Sequence, residues 1–467
     1  MTDATSTIEA AGSWRVLLGP RYLGTSTLLA GGVALYATNE FLTISLLPST
    51  VADIGGERLF AWVTTLYLVG SVVAAAAVNA ALLRLGARLS YLLGLGVFGI
   101  GSVVCAAASN MEVLLAGRAL QGAAGGLLAG LGYAVISTAL PQALWTRASA
   151  LVSAMWGVAT IVGPATGGFF AQFGLWRWAF GSVAMLTAAM AALVPVVLPA
   201  DRGDPTGAAP VLKVPVWSLL LLGAAALTVS VAQVPHSSIA TTALLAASVL
   251  LVAVFVLIDR RTSVAVLPPS VFRSGPLKWI YLTMAVLMAS AMVDMYVPLF
   301  GQRLAHLVPV LAGFLGAALA VGWTFSEIAS ASLSSSRVIA RVVGGAPLIM
   351  AVGLALGAAT QMDHASAGLV VLWAVALSIT GIGIGAAWPH LSAWAMQCAD
   401  DAKDGAAAAA AINTVQLISG AFGAGLAGVV VNSAHGGAVI AARWLFAVFA
   451  ALSVLGAVAS YRATRGQ

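Results

Sequence analysis

The stretch ALYATNEFLTISLLP, residues 34–48, sets a glutamate, Glu40, inside an apolar run. Residues 24–47 around it are long enough to cross a bilayer core about 30 Å thick as a helix, and they hold no other charge. An ionised carboxylate at the centre of such a helix costs about 2.5–3.5 kcal/mol on insertion scales. A chain that keeps one there must turn it toward protein or water, which makes it a candidate functional group.

The remainder of the chain has the same character. Of its 467 residues 61% are hydrophobic and 8% charged, where soluble domains carry about 25% charge. Its apolar blocks approach the roughly 20 residues that a spanning helix needs. Gly and Ala run through these blocks, so they read as helices and not as the alternating strands of a barrel. The expected fold is an all-α polytopic membrane protein. Its spans fall near 24–47, 60–82, 89–109, 113–139, 148–171, 178–199, 215–234, 239–258, 277–300, 309–332, 344–361, 367–389, 406–432 and 438–461.

With the N-terminus inside, 16 of the 21 basic residues fall in inner segments, and only Arg58, Arg177 and Arg303 fall in outer ones. That asymmetry orients the chain with both termini cytoplasmic, and it accounts for the net charge of +6 without a nucleic-acid partner. The start lacks the basic, apolar and cleavage segments of a signal peptide, so the first span is expected to direct insertion. Cys105 and Cys398 fall near opposite faces and are not expected to pair.

A repeat lies in the spacing. RLGAR, 84–88, joins spans 2 and 3, and RVIAR, 337–341, joins spans 10 and 11. Glu40 precedes Arg84 by nearly the same distance as the second intramembrane acid, Asp294, precedes Arg337. Duplicated halves are what transporter folds are built from. The expected organisation is a cytoplasmic segment 1–23, a six-helix half 24–199, a linker 200–214 and two additional spans 215–258. A second linker 259–276, a second half 277–461 and a tail 462–467 complete it.

Intramembrane polar residues form stripes. Tyr36, Asn39, Glu40 and Thr43 share an arc of roughly 100° on span 1. Thr283, Ser290 and Asp294 share a face of span 9; Trp323, Glu327, Ser330 and Ser334 share one on span 10. Glu40, Asp294 and Glu327 are the expected proton carriers. Glu40 lies about 12 Å below an outer helix end expected at Pro48. Arg118, about 9 Å below Glu112, is the fourth coupling candidate, a permanent charge able to act on a carboxylate. Tyr36, Asn39, Thr43, Gln121, Ser290, Tyr296 and Trp323 are the expected cavity residues. In span 5, Gly163, Pro164, Gly167 and Gly168 combine a proline bend with close helix approach, a natural hinge or seal.

These motifs resemble the major facilitator superfamily, in its fourteen-span drug:proton antiporter branch, over nearly the whole chain. Ala159-x-x-x-Gly163-Pro164-x-x-Gly167-Gly168 is similar to the family's antiporter motif. GRALQG, 117–122, resembles its span 4 motif, whose arginine is implicated in proton transfer, a role that the resemblance carries to Arg118. GLWRWAF, 174–180, and LPPSVFRSG before span 9 also look like this branch. Two features depart. The branch usually has aspartate in span 1, whereas Glu40 with its spacing resembles sugar and metabolite efflux relatives. The loop between spans 2 and 3 keeps Arg84, Gly86 and Arg88 but has Leu83 in place of the gating aspartate, so that relay does not carry over.

The resemblance implies proton-coupled export of amphipathic small molecules by alternating access, in a monomer of a bacterial inner membrane, with protons and membrane lipids as its other partners. Lipid or glycolipid export, sugar or metabolite efflux, and a non-transporting scaffold or sensor are the alternatives. No metal or organic cofactor is expected. None of Lys213, Lys278 and Lys403 belongs to a phosphate-binding Gly-x-x-x-x-Gly-Lys loop, which argues against an ATP-driven pump or another enzyme. If Leu83 loosens the inner gate, Leu83→Asp will change the transport rate in vesicles; an unchanged rate removes this position from gating.

Overall fold

A computed structural model describes residues 14–465 apart from 76, 142–143, 199–214, 236, 263–264, 268, 273–274 and 398–401. The linker 200–214, Cys398 and most of the segment 1–23 therefore lie outside the described residues, as does the side chain of Leu83. Fourteen long helices dominate: α1 Leu23–Ile54, α2 Phe60–Ala75, α3 Val78–Ala106, α4 Met111–Ala134, α5 Trp145–Gln172, α6 Trp176–Val197 and α7 Val216–Val231. There follow α8 Ser238–Asp259, α9 Leu277–Ala305, α10 Pro309–Ser330, α11 Ser336–Thr360, α12 Ala367–Gln397, α13 Ala402–Ser433 and α14 Ala438–Thr464.

Twelve helices among the described residues are long and apolar enough to cross a membrane. The two outside that set are α1, diluted by its polar stripe, and α7, with 16 residues. Local chemistry sets several of the ends. Asn110 caps α4 by accepting from Val113 N–H at 2.9 Å. Pro309 opens α10 at a position where a missing N–H costs nothing.

Three boundaries differ from the sequence reading. Helix α1 does not end at Pro48 but passes through it to Ile54, so Glu40 lies near the middle of a 32-residue helix. Neighbouring helices hold the chain in register past the proline. The helix of the expected span 60–82 stops at Ala75, and the next begins at Val78. The two Arg-x-x-Ala-Arg copies also adopt different backbones. Gly86 breaks α3 at φ 73°, a left-handed conformation open to glycine. Its counterpart Ile339 is β-branched, cannot take that conformation cheaply, and stays helical, so Arg337 and Arg341 lie on the first turns of α11 and not in a loop.

Helices α1–α6 pack chiefly on one another, through α1 with α5, α2 and α3 with α4, and α3 with α6. Helices α9–α14 do the same, through α10 and α11 with α12 and through α14 with α9 and α11. The two groups meet along two seams, α5 against α10 and α2 against α13. Helix α7 lies over the second seam, touching both α2 and α13, and α8 packs on α7.

The first seam depends on small residues. A Cβ on Gly167 would lie 2.4 Å from the Leu42 carbonyl oxygen of α1, and one on Gly168 would lie 2.6 Å from Val310 Cα of α10. Helices this close gain dispersion and weak backbone contacts in a medium where hydrophobic burial supplies no drive. Gly167→Val is expected to cost about 1–3 kcal/mol, read as a lowered melting temperature of the purified protein.

Candidate functional site

Between the two helix groups lies a cavity of about 330 Å³. Glu40 of α1, Asp294 of α9 and Glu327 of α10 all line it, so the three acids singled out in the sequence share one chamber. The remaining wall is largely apolar and aromatic, including Phe41, Trp156, Met288, Met292, Trp323 and Trp388, with Thr64, Thr160, Thr324 and Gln416 as its polar members. Glu327 Oε2 accepts from Trp323 Nε1 at 2.9 Å, and the rings of Trp323 and Trp388 lie 5.7 Å apart.

Asp294 owes its position to a proline. Pro298 has no N–H for the Asp294 carbonyl four residues back, and that carbonyl accepts instead from Val297 N–H, within the 3₁₀ turn Met292–Tyr296. The turn interrupts α9 at the cavity. Asp294 Oδ1 is buried and has no hydrogen-bond partner among the described residues.

Behind the α1 wall lies a second polar group that does not reach the cavity. Arg118 is 1% exposed. Its guanidinium stacks on the Tyr67 ring at 4.0 Å and donates to Gln121 Oε1 at 2.8 Å and Val63 O at 3.4 Å. Gln121 Nε2 donates in turn to Ser102 Oγ at 2.9 Å and Asn39 Oδ1 at 3.4 Å. No ion pair to Arg118 is found among the described residues.

The α1 stripe is therefore divided. Asn39 and Glu40 point about 100° apart, Asn39 toward α4 and Glu40 into the chamber. Tyr36, Asn39, Thr43 and Gln121 are buried within the first helix group. Ser290 accepts from Ser453 Oγ at 3.1 Å, and Tyr296 stacks on Phe60 at 4.8 Å. Of the expected cavity residues only Trp323 is in the wall. Trp156, Trp388, Met288 and Met292 were not anticipated, because a single aromatic or methionine on an apolar helix has no pattern that distinguishes cavity from core.

Polar contacts bridge one end of the bundle, around a pocket of about 760 Å³ that Glu57, Arg58, Arg303 and Asn432 line. Arg303 of α9 pairs with Glu57 at 2.6 Å, Asn432 of α13 donates to Arg58 O at 3.0 Å, and Arg58 donates to Val234 O at 2.9 Å. Gly163 and Gly167 press α5 onto α1, Pro164 O accepts from Ser45 Oγ at 3.4 Å, and Gly168 meets α10. The expected motif thus sits at a seam between helix groups. Arg84, Arg337 and Arg341 are exposed and Arg88 is half-buried. The chamber draws its walls from the other ends of α4 and α12, at Tyr133 and Trp388.

The sequence pattern described as Major Facilitator Superfamily matches residues 29–424. The chain belongs to that superfamily. Two proteins of Mycobacterium tuberculosis, from strains CDC 1551 / Oshkosh and ATCC 25618 / H37Rv, are each named a probable multidrug-efflux transporter. Both are 69% identical to this chain over 463 residues, covering 98% of it and of themselves. Among solved structures, a D-xylose-proton symporter superposes with a TM-score of 0.67 at 15% identity, covering 96% of this chain and 99% of the symporter. The nucleoside transporter NupG gives 0.64 at 13% identity, covering 95% and 99%. At such identities the likeness concerns the fold alone. This major facilitator protein is a multi-pass membrane transporter.

The Arg118 cluster supports the packing of this fold. Arg118→Lys loses the planar stacking on Tyr67 and leaves Gln121 or Val63 short of a donor, so a loss of about 1–3 kcal/mol is expected in thermal melting.

Proposed function

We propose that this transporter exports amphipathic, cationic or neutral small molecules in exchange for protons. The observation that carries the reading is the convergence of Glu40, Asp294 and Glu327 on one aromatic-walled chamber, with no Lys or Arg among its lining residues. Acids and aromatic faces together favour a lipophilic cation, and each cation–π contact adds about 0.5–2 kcal/mol. The names of the 69%-identical relatives support efflux.

On this reading α1 and α7 also cross the membrane, which makes fourteen spans and places the protein in the drug:proton antiporter branch, as a monomer. The six-helix halves are 24–199 and 277–461, the spans within 215–258 are an insertion, and both termini are cytoplasmic. The bridged end, with Arg58 and Arg303, then faces outward from a bacterial inner membrane, and the chamber draws its wall from the cytoplasmic side.

Removing a carboxyl from water favours its protonated form. A chamber wetted alternately from each side therefore loads protons outside and releases them inside as cargo moves out. For a neutral cargo, one charge crossing 100 mV is worth about 2.3 kcal/mol, between ten- and a hundredfold in cargo gradient; a monovalent cation exchanged for one proton moves no net charge and draws on the pH difference alone. The tight α5 contacts and the Arg303–Glu57 pair belong to the closed outer gate of this cycle.

The test is cationic dye transport in proteoliposomes under an imposed pH gradient. The wild-type protein should drive dye movement that collapses with the gradient. Glu40→Gln and Asp294→Asn should retain dye binding within about threefold and lose gradient-driven transport by tenfold or more, about 1.4 kcal/mol. Wild-type transport that ignores the gradient refutes proton exchange, and unchanged transport in either variant removes that acid from coupling.

A further inference from the structure

The polar stripes of the sequence do not include the buried histidine of α12. His390 of α12 is 8% exposed, and it lies against Ser330 of α10, one helical turn beyond Glu327 on the same helix. Its Nε2 is 2.8 Å from Ser330 Oγ and 3.1 Å from Ser330 O. Ser330 Oγ in turn donates to Ala386 O at 2.6 Å.

This arrangement fixes the tautomer. A carbonyl oxygen only accepts, so the single hydroxyl proton of Ser330 is committed to Ala386 O. Ser330 Oγ must then accept from His390, and Ser330 O can do nothing else. Nε2 therefore carries its proton in every state of the ring, leaving Nδ1 as the atom that gains or loses one.

The groups around His390 suit proton exchange. Helix α12 packs on α9, α10, α11 and α13 and has no other charged residue. On α10 the only charged group is Glu327, in the chamber wall. On α9, Asp294 lines the same chamber, Lys278 is exposed, and Arg303 is paired with Glu57 at the bridged end. On α11, Arg337 and Arg341 are exposed, and the described side chains of α13 include no charge. The one charged group on the helix His390 touches is therefore a carboxyl a turn away. Imidazole is the side chain whose ordinary titration falls between about pH 5 and 8.

We infer that His390 is a proton-transfer residue of the transport cycle, taking up at Nδ1 a proton given up on the Glu327 side of the chamber and passing it to solution at the end opposite the bridged one. The ring becomes an imidazolium on uptake and returns to the same neutral tautomer on release, so no net charge remains after a turnover. This rests on the proton-exchange reading above.

His390→Gln is the decisive variant, because a glutamine amide keeps an N–H donor for Ser330 and does not titrate. With gradient-driven dye transport measured from about pH 5.5 to 8, the wild-type rate should change by about tenfold and the variant rate by less than about twofold. A variant profile parallel to that of the wild type overturns the inference while leaving proton exchange intact. Wild-type transport that is independent of the gradient instead removes the reading beneath it. Nitrogen-15 NMR of the protein whose other four histidines, His236, His306, His364 and His435, are replaced by glutamine supplies a test that does not depend on His390→Gln folding. A neutral Nε2–H ring that titrates supports the inference; an Nδ1–H tautomer, or no titration over that range, overturns it.

Discussion

Hydrocarbon offers a charged or polar group no partner, and that constraint organises this structure more than any single contact. Glu40, Asp294 and Glu327 sit on helices otherwise compatible with lipid, so each helix must rotate its acid away from the bilayer. The three rotations converge because α1 packs on α5, α5 on α10, and α10 on α12 and α9. Once the acids face one another across a gap, that gap cannot close as a dry core without burying carboxylates side by side. A chamber of about 330 Å³ is the result.

The same constraint governs the second polar cluster with the opposite outcome. Arg118 needs as much solvation as an acid but finds it inside one helix group, from the Tyr67 ring, a carbonyl and Gln121. Removing a charge from water costs several kcal/mol even after relaxation, and here neutral groups and a quadrupole offset part of it. This cluster fastens α4 to α2 and α1, and Arg118 is not among the residues that line the chamber. Two intramembrane charges of opposite sign, both conspicuous in the sequence, therefore differ in kind: one opens to a cavity and the other is packed.

How far the sequence could be read follows from these distinctions. Composition and block length disclosed a helical membrane protein, and the Gly163–Gly168 motif disclosed a close helix contact, because both are written in residue type. Glu40, Asp294 and Glu327 were legible because a charge in an apolar block has few permitted environments. The side of α1 that each neighbour of Glu40 would face was not legible. A 100° step separates Asn39 from Glu40, and only the positions of α4 and α5 decide which one meets the chamber. His390 escaped for a related reason: a histidine beside a proline near a helix end has no periodic signature, and its tautomer is set by Ser330, sixty positions away.

The two seams between helix groups are built from different forces, and this bears on how the groups can move. At α5 against α10 the contact is backbone on backbone, with Gly168 against Val310 and Gly313 against the Pro164 carbonyl. Dispersion falls off steeply, and a gap of 0.5–1 Å already forfeits about a quarter to a half of each contact. Such a seam is either closed or lost. Between α2 and α13 the polar bridge runs through α7 and is directional: Trp62 Nε1 of α2 donates to Ser230 O of α7 at 2.9 Å, Ser230 Oγ to Thr65 Oγ1 of α2 at 3.0 Å, and Asn432 Nδ2 of α13 to Gln233 Oε1, just after α7, at 3.4 Å. Hydrogen bonds exchange partners with water for a net cost of about 1 kcal/mol each, so these contacts can loosen in steps. A rocking motion between the halves would therefore be abrupt along α5 and graded along α7.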